Sequence, residues 1–70
     1  MKLLDFMDYF RTWDYKIVVL SLDKKPLMDG SITQLIGDRV TKDGADIKHT
    51  FERIVDSFYV HNGQMLIYVK

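Results

Sequence analysis

The residues of this chain whose types could do chemistry are few: two histidines, ten carboxylates, ten basic side chains and no cysteine. His49 and His61 are candidate metal ligands or proton relays. They lie far apart in sequence, on a helix flank and at a turn, and a metal would need further ligands converging on them. Surface positions are the expectation for both. Ser21, Ser31 and Ser57 have no His-Asp set arranged to activate them. Gly37, Gly44 and Gly63 stand singly, so they build no phosphate cradle and no dinucleotide fingerprint.

Asp46-Ile47-Lys48 has the residue types with which some nucleases set carboxylates and a lysine around a metal. The segment lacks the strand context of such a motif. Asp46 reads instead as the cap of a helix, followed by a solvated lysine. These absences, in a chain with little room for a closed pocket, lead to the expectation of a non-enzymatic protein. No catalytic, cofactor-binding or metal-ligating residue is assigned, and no cofactor is expected.

Lys16, Lys24 and Lys25 could touch phosphate. With equal numbers of acidic and basic residues the net charge is zero, whereas a nucleic-acid binder needs a basic surplus. The charge balance also excludes a strongly acidic DNA mimic, and it favours association with other macromolecules.

The 70 residues form one domain, residues 1–70, near the lower limit for a self-sufficient core. Without cysteine, disulfides and thiolate metal sites are excluded. Dense aromatic packing and self-association remain as supports, so a homodimer is a candidate state. Asp5 and Asp8 interrupt the N-terminal apolar residues where a signal peptide would be continuous. No apolar run approaches the length of a membrane span. A soluble chain in the cytoplasm, with no membrane partner, is the expectation.

The elements that must position these residues follow from periodicity. Leu3, Phe6, Tyr9, Phe10 and Trp13 recur at helical spacing and predict a helix over Leu3 to Trp13, with this aromatic series as its core stripe. Tyr15 to Leu22 is β-branched and nearly continuous in apolar character, which predicts a central strand buried on both faces. Asp23-Lys24-Lys25-Pro26 ends it. Leu27 and Met28 begin a short second strand that Asp29-Gly30 stops. Ser31 and Gln34 fit a capping box for a short helix carrying Ile32, Leu35, Ile36 and Val40. Gly37 weakens that helix, and a strand is the competing reading for residues 31–40. After a polar loop from Thr41 to Gly44, a further helix aligns Ile47, Phe51, Ile54 and Val55. The end of this helix is open, because Ile54 to Phe58 suits both periods.

Asn62-Gly63 is a type I′ turn signal. It pairs His61 with Gln64, Val60 with Met65, Tyr59 with Leu66 and Phe58 with Ile67. Phe58, Val60, Met65, Ile67 and Val69 then share the core face. Tyr59, His61, Leu66 and Tyr68 share the other and are the candidate partner-binding residues. That second face is either covered by another element of the chain or an apolar-aromatic patch of the kind enriched at interfaces. The last strand, if it lies at the sheet edge, could pair with a partner or a second copy. The fold class is α+β: a small antiparallel sheet of three to four strands, with an N-terminal helix and one or two further short helices packed on it, ending in a C-terminal hairpin.

Met1-Lys2-Leu3-Leu4-Asp5-Phe6, Val55-Asp56-Ser57-Phe58-Tyr59-Val60, Asn62-Gly63 and Leu66-Ile67-Tyr68-Val69 give the chain a layout that resembles short early-region accessory proteins of phages and prophages of Gram-positive bacteria. A narrower similarity links Asp14-Tyr15-Lys16, Leu20-Ser21, Ser31-Ile32-Thr33-Gln34-Leu35-Ile36, Arg39-Val40 and Asp43-Gly44 to a prophage anti-CRISPR family that inhibits Cas9. That family is strongly acidic and this chain is neutral, so no inhibitory residue is carried over. The second similarity would also make residues 31–40 strand rather than helix. The resemblances imply a bacterial host and a protein that binds a host protein and modulates it, in its most specific form a defence nuclease. A self-associating structural protein is the alternative, and a weak nucleic-acid binder the third.

Overall fold

Leu3, Phe6, Met7 and Phe10 fall at i, i+3, i+4 and i+7, the spacing that aligns side chains along one helical stripe. In the computed structural model the first three face the interior from a helix, α1 (Leu3–Tyr9), in which Leu3 and Met7 are fully buried, and Phe10 packs against the core just past its end. The structure describes residues 1–10, 12, 16–41 and 45–70, with side chains for all of these except 38–41 and 45–47. α1 is shorter than the sequence predicts. Phe10 leaves helical geometry, and its N–H bonds to the Met7 carbonyl at 3.1 Å. The rest of the expected helix, including Trp13, and the expected strand start at Tyr15 lie outside the described residues. Tyr9, expected in the core stripe, is 76% exposed. At about 100° per residue it falls about 120° from Leu3, off the stripe that runs from Phe6 through Phe10 and Leu3 to Met7.

The strands are β1 (Ile17–Ser21), β2 (Pro26–Gly30), β3 (Val55–His61) and β4 (Gln64–Val69), in one four-stranded sheet of order β2-β1-β4-β3. The α+β class, the N-terminal helix and the terminal hairpin are as read from the sequence. The sheet, however, is mixed. β1 pairs antiparallel with β2 and parallel with β4, while β3 and β4 pair antiparallel. A parallel pair needs a long crossover. Here the crossover runs through β2, two helices and β3. It carries β4 into the interior of the sheet, so the last strand is not the edge. β3 and β2 are the edges.

The turn after β1 closes on Ser21. The Ser21 N–H donates to the Lys25 carbonyl and the Lys24 N–H to the Ser21 carbonyl, both at 2.9 Å. The Lys25 N–H reaches Ser21 Oγ at 3.2 Å, and the Ser21 hydroxyl donates to the Asp23 carboxylate. That hydroxyl holds the Asp23 carboxyl below its ordinary value. β2 then runs through Asp29-Gly30 rather than stopping there. Gly30 takes φ of 144°, a region that favours glycine, and a Cβ there would meet Gln34 Oε1 at 3.0 Å.

Helix α2 (Ile32–Thr41) starts at the expected cap, with the Gln34 N–H donating to Ser31 Oγ at 3.0 Å. The competing strand reading, and with it the implication of the anti-CRISPR similarity, fails for this segment. Ile32 and Leu35 are buried and Ile36 packs against the core. Helix α3 (Ala45–Glu52) begins one residue before Asp46, which therefore sits inside the first turn rather than capping it. Of the expected loop, Thr41 closes α2 and residues 42–44 lie outside the described set.

α3 buries Phe51 completely but ends before Ile54 and Val55, which the sequence reading aligned with it. Sheet-type bonds take over there. The Leu3 N–H donates to the Arg53 carbonyl at 2.8 Å, Val55 N–H to the Met1 carbonyl at 2.9 Å and Lys70 N–H to the Ile54 carbonyl at 2.8 Å. An ion pair between Lys2 and Glu52 at 2.7 Å closes the same corner and raises the Lys2 ammonium pKa.

One core results. Ile17 and Val19 of β1 and Met65, Ile67 and Val69 of β4 pack with Leu3, Phe6, Met7, Ile32, Leu35 and Phe51. All three helices thus lie on the same face of the sheet. Phe58 of β3 was expected in this core. It meets the Phe6 ring at 5.0 Å and the Phe10 ring at 6.0 Å between centroids, yet it stays 45% exposed, and Val60 is 54% exposed. Both lie on an edge strand, where, among the described residues, no further strand covers the outer flank.

Candidate functional site: the open face of the sheet

Side chains alternate across a strand, so the residues between the core positions define the opposite face. On β1 these are Val18 and Leu20, and on β4 they are Leu66 and Tyr68. All four are half-buried, and none belongs to the core under the helices. The ladder places Tyr59, Leu66, Val18 and Asp29 in one cross-strand row, with Tyr68 beside Leu20 in the next. Among the described residues, no helix covers this face.

The hairpin register agrees pair for pair with the sequence expectation. Asn62 at φ 50° and Gly63 at φ 74° provide the left-handed pair that a type I′ turn requires. The four candidate residues therefore share the open face. Tyr59 is 58% exposed, and its ring meets that of Tyr68 edge-on, with centroids 5.9 Å apart and planes at 78°. Edge-to-face pairs of this kind are favourable, so the two rings hold each other in place. His61 stands at the hairpin end, exposed, with Nε2 3.2 Å from Asn62 Nδ2.

Val18 and Leu20 extend the patch, although the sequence reading placed them inside a strand buried on both faces. The available signal was the lack of any second set of helices to cover them. Charged pairs frame the apolar centre. Lys16, just before β1, lies 3.3 Å from Asp29 of β2, and Lys70, just after β4, lies 3.9 Å from Asp56 of β3.

The remaining candidates do not assemble. His49 is exposed on α3, and His61 is exposed at the hairpin end of β3. Among the described residues, no three His, Asp or Glu side chains gather as metal ligands. Lys48 is exposed, while the side chains of Asp46 and Ile47 lie outside the described set. One shallow groove beside α1 is lined by Met1, Asp5, Asp8 and Tyr9, and another by Pro26, Leu27, His49, Thr50 and Arg53. In the second, the Arg53 side chain donates to the Lys70 carbonyl at 2.9 Å, which employs it in holding the last strand. Among the described residues, no helix is long and apolar enough to cross a membrane. Compared with known proteins, the chain matches no family model, no curated protein and no solved structure.

Proposed function

We propose that this chain is a non-enzymatic binding module that docks a partner protein on the open face of its sheet, through Tyr59, Leu66 and Tyr68 with Val18 and Leu20. The observation that carries the reading is the composition of that face: a contiguous apolar and aromatic centre framed by charged pairs. Interfaces favour aromatic side chains at a dry centre and polar groups at the rim. Tyrosine suits this role because it offers a large, stiff surface with a polar tip.

The resemblance to phage and prophage accessory proteins supplies the partner class. A host protein is bound and modulated, and a defence nuclease is its most specific form. The setting is then the cytoplasm of a Gram-positive host. Single-stranded nucleic acid can also stack on sheet-borne aromatic rings, but that mode needs a basic track along the backbone. Lys16 and Lys70 on this face are each beside a carboxylate.

The test is affinity capture from a Gram-positive host lysate with the wild type and with Tyr59→Ala/Tyr68→Ala. One protein retained stoichiometrically by the wild type and lost with the variant supports the reading. Retention of nucleic acid alone, released by moderate salt, would replace it with the nucleic-acid reading.

A further inference from the structure

The two edges of the sheet are built differently. β2 carries Pro26, which has no N–H, an irregular register opposite Val19 and Leu20, the exposed Asp29, and Gly30 at positive φ. Prolines, bulges and charges are the devices that stop an edge from pairing. β3 has none of them from Ser57 to His61. Its one irregularity lies between Val55 and Ser57, at the far end from the turn. Phe58, Tyr59 and Val60 are all substantially exposed, so both faces of this edge offer apolar surface.

The backbone is arranged for pairing as well. The 61–64 turn closes on the pair His61 and Gln64. Hydrogen-bonded and non-bonded pairs alternate in an antiparallel ladder. Tyr59 therefore bonds inward to Leu66, and Phe58 and Val60 turn their N–H and C=O groups outward. Among the described residues, no strand lies beyond them.

We propose that β3 pairs antiparallel with β3 of a second copy of this chain, joining two sheets into one of eight strands about a two-fold axis at Tyr59. In that register Phe58 of each copy faces Val60 of the other and exchanges both backbone hydrogen bonds with it. The two Tyr59 side chains meet at the axis on the open face. A register centred on Phe58 would set Asp56 opposite Val60 and draw on the irregular end of the strand. The Tyr59 register pairs apolar with apolar and uses only the regular part. The strand from Ser57 to Val60 has no charge, and the whole chain has none net, so two copies meet without electrostatic repulsion. A two-fold contact of this kind is self-complementary and closed. It also brings two Tyr59–Tyr68 pairs together in one aromatic surface.

The test is light-scattering mass at high micromolar concentration, with edge variants and a cross-link. The wild type is expected at twice the chain mass. Val60→Lys adds an edge charge, and Val60→Pro removes an outward N–H while leaving the β4 ladder intact. Both are expected to be folded monomers by circular dichroism. Because the chain has no cysteine, Tyr59→Cys reports on its own position alone. Non-bonded pairs stand about 4.5 Å apart between Cα atoms, within disulfide reach. Mild oxidation is expected to link Tyr59→Cys far faster than the exposed control Lys24→Cys. A monomeric wild type overturns the proposal. So does a dimer indifferent to both Val60 variants, or equal cross-linking of the two cysteines. A monomer that still retains its partner through Tyr68 would remove the dimer and leave the proposed contact face standing.

Discussion

Along β4, Met65, Ile67 and Val69 are fully buried under the helices, while Leu66 and Tyr68, one residue along, lie on the side that no described helix covers. The two sets are of similar apolar character, so hydrophobicity alone does not assign them. What separates them is the supply of covering elements. Among the described residues, α1, α2 and α3 all pack on one face. A small chain has only enough helix for one side of its sheet. Apolar side chains on the second side gain no burial from the described helices, and theirs is the face that the proposed contact uses.

Substitutions on the two faces are expected to differ in graded fashion. The largest effect is expected at Phe51→Ala under the helices. Its fully buried ring should cost about 3–5 kcal/mol in urea unfolding, a large part of the stability of so small a domain. Ser31→Ala removes the cap that receives the Gln34 N–H and is expected to cost about 1 kcal/mol by the same measurement. On the open face, a double-mutant cycle between Tyr59 and Tyr68 should give a coupling of about 0.5–1.5 kcal/mol, the worth of an edge-to-face pair. A coupling of zero would mean that the rings are not held against each other.

The smallest effect is electrostatic, and it sharpens the account of the turns. The Asp23 carboxyl is held below its ordinary value by the Ser21 hydroxyl. Its contribution is thus present above the unfolded carboxyl range and is lost as pH falls through the lowered folded value. Lys2 runs the other way. Its ammonium is raised by Glu52, so its contribution is present below the unfolded lysine value and is lost as pH rises through the folded one. Both groups are exposed. Asp23→Asn should therefore remove only a slight acid-side loss, visible in unfolding midpoints compared at neutral and strongly acid pH.

Much of this architecture was legible in local chemistry. Asn62-Gly63 set the hairpin register because that pair tolerates positive φ and two residues leave one way to close the loop. Ser31 marked the start of α2 because its hydroxyl serves an N–H that the helix cannot. The misreadings came where tertiary contacts decide. The apolar run through Tyr9 and Phe10 carries no stop signal, yet α1 ends there. Ile54 and Val55 fit a helical period, but backbone bonds to Met1 and Lys70 draw them into the sheet. β4 is interior only because the crossover sets it beside β1, an arrangement that no segment encodes by itself. The same topology leaves Phe58 and Val60 at an edge, although alternation assigns them correctly to the helix side. The open face was recognised as a set of residues, while its lack of a helical cover required the packing of all three helices.

The most direct measurement pairs Ile67→Ala with Tyr68→Ala, neighbours on one strand, in urea unfolding and in capture of the proposed host partner. Ile67→Ala is expected to lose about 2–5 kcal/mol of stability. Tyr68→Ala should lose much less, remain folded and fail to retain the partner. Equal losses of stability at the two positions, or unchanged retention by a folded Tyr68→Ala, would contradict the claim that the open face of the sheet is the contact surface.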